Sequence, residues 1–192
     1  MPALKKLKPI TIEEFIEQYE GTRCQFHDGE IWEAQATTPD HSDLMGAMSE
    51  VLRTLFHKRG GPKSPGGWWI FPEIAVRYSE GSLFSHDLAG WKRSKVPERP
   101  RKYPVTEKPD WVCEILSSNT ANDLVKKKSV LHRHEVPYYW LAHPTERLIT
   151  VLKWSPEGYV SIMDLTEDFI GKIPPFEGVE LKANMLFGEE DD

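Results

Sequence analysis

Residues 110–116, with the sequence DWVCEIL, constrain the fold more than any other part of this chain. They are apolar almost without interruption, which is typical of a central strand buried on both faces of its sheet. Helices then have to cover those faces, because apolar side chains on both sides of a sheet must be shielded from water. The sequence therefore predicts an α/β (mixed α+β) fold in which helices flank a central mixed sheet.

Local signals place the other elements around this strand. Thr11 and Glu14 form a capping box that predicts a helix over 11–19. Asp28-Gly29, between alternating apolar residues, predicts a hairpin turn. Apolar residues at spacings of three and four predict a helix that starts at Pro39 and runs to about residue 58. Strands are also predicted over 68–78, 83–89, 137–142 and 148–154, a loop over 92–109, and a further helix over 123–134.

The chain of 192 residues has the length of one domain. We expect an amino-terminal helix and hairpin over 1–40, a core over 41–154, and a packed extension with an acidic tail over 155–192. The sequence contains no run of about 18 apolar residues, so no membrane-spanning helix is predicted. The first ten residues lack the apolar stretch of a secretory signal. Cys24 and Cys113 form no C-x-x-C pattern, which favours free thiols in a reducing compartment. We therefore expect a cytoplasmic protein.

Two carboxylates lie where a predicted strand makes an unpaired charge costly. Glu114 is in the middle of the buried strand, where an unpaired charge costs several kcal/mol. It must be paired with a base, hydrogen-bonded, protonated or bound to a cation. Asp87, near the end of its own strand, is either a turn or cap residue or a partner of Glu114 across neighbouring strands. Together the two would form a pair of hard oxygen ligands, which Mg²⁺ prefers.

A lysine on the following helix raises a similar question. At about 100° per residue, Lys127 and Lys128 fall within about 60° of the apolar face, whereas Lys126 points almost opposite. Lys127 either extends its stem along the core with its amine in water, or sends its ammonium group toward Glu114. The second arrangement requires the helix to pack behind the strand that carries Glu114.

Basic residues cluster in the predicted loop over 92–109, the basic loop, even though the net charge of the chain is −6. Such a cluster is either a phosphate-binding surface or a solvated connector. His41, near a helix amino terminus, is a secondary site candidate, with a capping or surface residue as the alternative. Glu73, after a proline in an apolar strand, is another, with a solvent-facing position on an edge strand as the alternative. The candidate phosphate-binding residues are Lys92, Arg93, Lys95, Arg99, Arg101, Lys102, Lys126 and Lys128.

An ordered series of short motifs connects these residues. From the amino end they are T-x-x-E-F at 11–15, F-x-D-G-E-I at 26–31, P-D-H at 39–41, D-L-A at 87–89, P-D-W-V-x-E-I-L-S at 109–117, D-L-x-x-K at 123–127, V-P-x-Y-W at 136–140 and P-x-x-G-V-E-L at 175–181. The series resembles the Uma-type family of restriction endonucleases, within the PD-(D/E)xK nuclease superfamily. That resemblance implies a restriction-endonuclease-like core.

The resemblance also implies a site and a reaction. Asp87, Glu114 and the backbone carbonyl of Ile115 would bind Mg²⁺ or Mn²⁺, and Lys127 would orient the attacking water. Three positions depart from the family pattern. His86 replaces the proline of the motif, Leu116 stands where its lysine is expected, and Gln25 replaces a glutamate.

The function that the resemblance implies is that of a hydrolase, a metal-dependent endonuclease acting on DNA. A homodimer is compatible with it, because double-strand cleavage commonly uses two-fold symmetry. The three departures keep an alternative open, an inactive nuclease-fold protein that binds nucleic acid or another protein. A third possibility, a small-molecule or cofactor enzyme, has little support, because G-x-G-x-x-G, Walker, G-x-S-x-G and zinc-binding spacings are all missing.

Overall fold

The computed structural model describes residues 10–33, 37–57, 60–61, 64–79, 81–116 and 121–188, without the side chains of 121–123. The α-helices in these ranges are α1 (Ile12–Tyr19), α2 (Pro39–Leu52), α3 (Ala121–Arg133) and α4 (Ala183–Leu186), and a π-helical segment (Arg53–His57) continues α2. The strands are β1 (Cys24–His27), β2 (Glu30–Glu33), β3 (Trp68–Arg77), β4 (Ser82–Lys92), β5 (Trp111–Ile115), β6 (Tyr138–His143), β7 (Leu148–Ser155), β8 (Gly158–Leu165), β9 (Ile170–Ile173) and β10 (Phe176–Lys182).

Local chemistry determines the amino-terminal elements. The Thr11 hydroxyl accepts the N–H of Glu14, and the Glu14 carboxylate accepts the N–H of Thr11, so the predicted capping box begins α1. Asp28 and Gly29 both have positive φ angles, 47° and 80°, as the tight turn between β1 and β2 requires. The predicted helix and hairpin are confirmed.

Helix α2 begins as predicted but ends differently. The Thr38 hydroxyl accepts the N–H of His41 and caps the first turn. The α-helix ends at Leu52, and the π-helical segment carries the chain to His57. The predicted end of the helix, Lys58, lies outside the described residues.

Strand β5 is the centre of an eight-stranded mixed sheet with the order β2-β1-β4-β5-β6-β7-β8, and β3 pairs with β4. All five residues of β5 are buried, as the apolar run predicts. The strand is antiparallel to β4 and parallel to β6, and α3 makes the crossover between β5 and β6. The predicted fold class, a central mixed sheet flanked by helices, is confirmed.

Two strands share one edge of β4. Strand β1 pairs with Ser82 and Leu83, and β5 pairs with residues 88–90, while β3 pairs along the opposite edge. Between these ladders, residues 84–87 of β4 face an opening where β1 and β5 diverge. This opening is the place in the sheet where side chains from several strands can converge.

The carboxyl-terminal region packs onto the same core. Strand β8 extends the main sheet beside β7, and β9 and β10 form a separate two-stranded sheet. The ring centroid of Phe176, in β10, lies 4.8 Å from that of Phe56, 4.9 Å from Trp68 and 5.0 Å from Trp111. Among the described residues, no helix is long and apolar enough to span a membrane.

Candidate active site

A buried ion pair fills the opening beside β4. Glu114 and Lys127 are each 6% exposed, and Lys127 Nζ donates to Glu114 Oε2 at 2.7 Å. The same ammonium group donates to the backbone carbonyl of Ser85 at 2.9 Å. That carbonyl belongs to the part of β4 between its two strand partners, so the lysine satisfies a backbone group that the sheet leaves open.

The orientation of α3 decides which lysine enters the opening. Lys127 is buried, whereas Lys128 is exposed, so the prediction that both lie near the apolar face is wrong for Lys128. The buried face of α3 is formed by Lys127, Val130 and Leu131. Lys126 lies at the side, 3.2 Å from a Glu30 carboxylate oxygen.

A chain of hydrogen bonds holds the other oxygen of Glu114. His86 Nδ1 lies 2.5 Å from Glu114 Oε1, and the Tyr78 hydroxyl lies 2.7 Å from His86 Nε2. Burial lowers the pKa of His86, against the opposing effect of Glu114, and burial raises the pKa of Tyr78 well above its ordinary value. A neutral His86 therefore donates from Nδ1 to the carboxylate and accepts the Tyr78 O–H at Nε2.

Asp87 lies beside this chain with partners of its own. Its Oδ2 accepts the backbone N–H of Ile115 at 2.7 Å, and its Oδ1 lies 3.2 Å from His41 Nε2. Burial raises the pKa of Asp87, but His41, the Lys127 charge and the Ile115 N–H together bring the pKa below its ordinary value. Asp87 is therefore a carboxylate at neutral pH, in contact with the residue that follows Glu114.

The secondary candidates both lie at this site, in different environments. His41 is buried, so its surface alternative is wrong, and its Nδ1 has no hydrogen-bond partner among the described residues. Glu73 is exposed and has a φ of 45° inside β3, a conformation that is costly for a residue other than glycine. Both residues line the same cavity as Asp87.

The cavity has a volume of about 500 Å³ and extends from the ion pair toward solvent. Its walls combine apolar side chains with polar ones, and Gln25, which replaces the family's glutamate, is buried in one of them. The lining residues on which the site depends are Gln25, His41, Glu73, Ser85, His86, Asp87, Glu114, Ile115 and Lys127.

The residues present fit a hydrated, hard divalent cation. Among the described residues, no three His, Cys, Asp or Glu side chains converge as a metal site. Mg²⁺ needs less than that, because it keeps several waters and commonly binds proteins through one or two carboxylates. Asp87 and Glu114 supply two carboxylates on the cavity wall, and Ile115 lines the same cavity.

The basic loop makes intramolecular contacts along its first part. The Arg93 guanidinium lies 3.8 Å from the Trp69 ring centroid, Arg99 lies 5.3 Å from that of Phe71, and Lys95 pairs with Asp110. The loop is therefore packed on β3 rather than solvated along its whole length.

The loop begins later than predicted, and its cations lie at different distances from the site. Lys92, predicted at the start of the loop, is the last residue of β4. Lys92 lies five positions along this extended strand from Asp87, which corresponds to about 17 Å between their Cα atoms. Arg101 and Lys102 are exposed, next to Tyr103 on the cavity wall. A role for these cations in binding nucleic acid stays a prediction.

His57, beneath this loop, gives a prediction for stability. Burial lowers the pKa of His57, the charge of Arg53 lowers it further, and its hydrogen bond to Ile70 opposes them. Because its pKa is lower in the folded protein, His57 stays neutral there at pH values at which the same histidine in the unfolded chain is already protonated. We expect the free energy of unfolding to fall as the pH drops through about 6.5, and to stop falling below the folded-state pKa.

Urea unfolding of the wild type and of His57→Gln, from pH 7.5 to pH 5, measures this effect. The variant should lose less stability over that interval, because a glutamine has no proton to take up. Equal pH dependence in the two proteins would contradict the prediction.

Sequence reasoning misses two groups of this site. Tyr78 ends an apolar strand and carries no motif, and the Ser85 carbonyl is a backbone group that any residue would supply. The charged residues are found more easily, because a carboxylate or lysine at a buried position is visible in the sequence itself.

Comparison with known proteins agrees with this fold. A solved structure described as a putative nuclease belonging to DUF820, from Anabaena variabilis, superposes with a TM-score of 0.75 at 20% sequence identity. The match covers 94% of this chain and 98% of that one. No curated protein matches the chain. The model of the Uma2 family, described as "Putative restriction endonuclease", matches residues 12–183. The chain therefore belongs to the Uma2 family, as its motifs predict.

Proposed function

We propose that the protein is a metal-dependent endonuclease that hydrolyses phosphodiester bonds of DNA. Asp87, Glu114 and the Ile115 carbonyl are the proposed ligands of Mg²⁺ or Mn²⁺. A homodimer that cuts both strands is part of the proposal. The observation that carries it is the buried Lys127 ammonium group, 2.7 Å from Glu114 in the same opening as Asp87.

One N–H donor of the Lys127 ammonium group remains available for a substrate or a water. An ammonium group has three N–H donors, and those directed at Glu114 and Ser85 use two of them. The third can bind a water or a phosphate oxygen at the buried end of the cavity. A fixed cation there stabilises the negative charge that develops on a phosphate under attack.

The two carboxylates are positioned before any ligand arrives. The Ile115 N–H and His41 hold Asp87, while His86 and Lys127 hold Glu114. A carboxylate oxygen can accept more than one contact, so these bonds leave room for a cation. When bound, a divalent metal would polarise the scissile phosphate and lower the pKa of a water.

Titration calorimetry followed by plasmid cleavage tests the proposal. We expect the wild type to bind Mn²⁺ or Mg²⁺ and to nick or linearise plasmid DNA in its presence. Glu114→Gln removes one ligand charge, so its heat of metal binding should be much reduced and its cleavage lost. Wild-type protein that binds no divalent metal would refute the metal-dependent mechanism.

A second function has its own support in the geometry. Each oxygen of Glu114 and of Asp87 already has a donor from the protein, so the buried charges are compensated without a metal. An inactive nuclease-fold protein that binds nucleic acid or another protein would retain this network for stability. Salt-dependent DNA binding, without metal binding or cleavage, would favour this alternative.

A further inference from the structure

An exposed aromatic ring lies in the wall of the active-site cavity. Tyr103 is 38% exposed, and it makes no ring contact with another aromatic side chain among the described residues. Two residues later, Val105 bonds to β3 through its N–H and its carbonyl, to Ala75 and Arg77 respectively. The backbone close to Tyr103 is therefore fixed to the sheet, and Tyr103 lines the cavity.

A buried glutamine whose amide oxygen has no partner lies in the wall of the same cavity. Gln25 is 4% exposed, and its Oε1 has no hydrogen-bond partner among the described residues. Leaving such an oxygen unpaired costs free energy, so a donor from a ligand would be favourable there. A glutamine amide carries an acceptor and donors side by side, which matches the hydrogen-bonding edge of a nucleic-acid base.

The rest of the cavity wall has mixed charge and apolar surface. The exposed Arg23 makes no ion pair with a described residue and can take a phosphate. Glu20 and Glu73 also line the cavity and would repel a continuous run of phosphates. Ile74 and Leu124 add apolar surface, which suits a base rather than a phosphate backbone.

The size of the cavity restricts what can enter it. Its volume of about 500 Å³ lies within the range of small-ligand sites, about 300 to 1,000 Å³, and cannot contain a turn of duplex. Asp87, Glu114 and Lys127 lie in its wall and are largely buried. A strand must leave the duplex to place its phosphate beside them.

We propose that the cavity takes up one unpaired nucleotide of a DNA strand, with its base stacked on Tyr103 and hydrogen-bonded to Gln25. This rests on the proposed nuclease function, because the nucleotide's phosphate is the one presented to Lys127. The protein is then selective for single-stranded or locally opened DNA. Enzymes that bind an extruded base commonly combine stacking with hydrogen bonds to its edge.

Fluorescence of a single-stranded oligonucleotide containing 2-aminopurine tests the stacking, with Ca²⁺ present to prevent turnover. Wild-type protein should quench the probe and bind the strand more tightly than a duplex of the same sequence. Tyr103→Ala should lose the quenching and bind about tenfold to 100-fold more weakly, the range that stacking of one base supplies. Tyr103→Phe keeps the ring and should behave as wild type. Ile162→Ala, an exposed apolar position on β8 outside the cavity, is the matched control.

Gln25→Ala separates base recognition from metal binding. We expect it to weaken binding of the intact strand but not of a strand with an abasic site at the probe position. Its affinity for Mn²⁺, measured by calorimetry, should equal that of wild type. A loss of Mn²⁺ affinity would make Gln25 a metal ligand and would overturn the base contact.

The results also separate this inference from the proposed catalysis. Quenching that depends on Tyr103, in a protein that cleaves nothing, would support the nucleotide site and refute the nuclease. Metal-dependent cleavage with no effect of Tyr103→Ala on binding or quenching would refute the nucleotide site alone.

Discussion

Lys127→Met is expected to lower the free energy of unfolding by about 3 to 5 kcal/mol, the usual cost of leaving one member of a buried ion pair without its partner. Glu114 is 6% exposed, so water cannot replace the lost ammonium group without opening the site. The Ser85 carbonyl loses its donor in the same variant. Urea unfolding at neutral pH, with equal slopes for variant and wild type, measures the change.

A double variant and a neighbouring lysine give the controls. Adding Glu114→Gln to Lys127→Met removes the uncompensated charge, and the amide oxygen can still accept from His86, so most of the stability should return. Lys126→Met, on the same helix, breaks the surface pair with Glu30 and a cation–π contact with Trp32, and should cost only about 1 kcal/mol. If Lys127→Met costs as little as Lys126→Met, Glu114 is not held by an ion pair in solution.

Asp87→Asn is expected to reduce metal-dependent DNA cleavage by on the order of 10³-fold, the scale of losing one positioned electrostatic contact in an active site. The substitution removes a negative charge while preserving the shape of the side chain. Asparagine keeps an oxygen that can accept the N–H of Ile115, so the fold should tolerate it. Initial rates of plasmid nicking in saturating Mn²⁺ measure the loss, and thermal unfolding verifies the fold.

Asp164→Asn is the matched control for this substitution. Asp164 lies on β8, where it accepts a hydrogen bond from the Thr150 hydroxyl and does not line the cavity. Its variant should nick plasmid at the wild-type rate. Cleavage by Asp87→Asn within tenfold of wild type would exclude Asp87 as a metal ligand.

The charged groups of the candidate site could be found from the sequence because they occupy positions where the pattern predicts apolar surroundings. A glutamate inside an apolar strand and a lysine near the apolar face of a helix both demand a partner. Which lysine enters the site could not be decided in this way. Helical spacing treats Lys127 and Lys128 as similar, and only the packing of α3 on the sheet buries the first and exposes the second.

Several other contacts between distant residues had no signal in the sequence. His41 meets Asp87 because the amino end of α2 reaches the opening in the sheet, 46 residues away along the chain. His86 looks like a simple departure from the family's motif, yet it connects Tyr78 to Glu114. The cations of the basic loop look available for phosphates, but aromatic rings and Asp110 hold several of them.

The sequence by itself determined the fold class, the capping box, the hairpin turn and the central strand, because these depend on hydrophobic periodicity and on hydrogen bonds between near neighbours. Tertiary structure alone decided how the site is built. Strands β1 and β5 diverge along one edge of β4, and Lys127 fills the opening and bonds to Ser85. Such convergence depends on the relative positions of several elements, which no local pattern encodes.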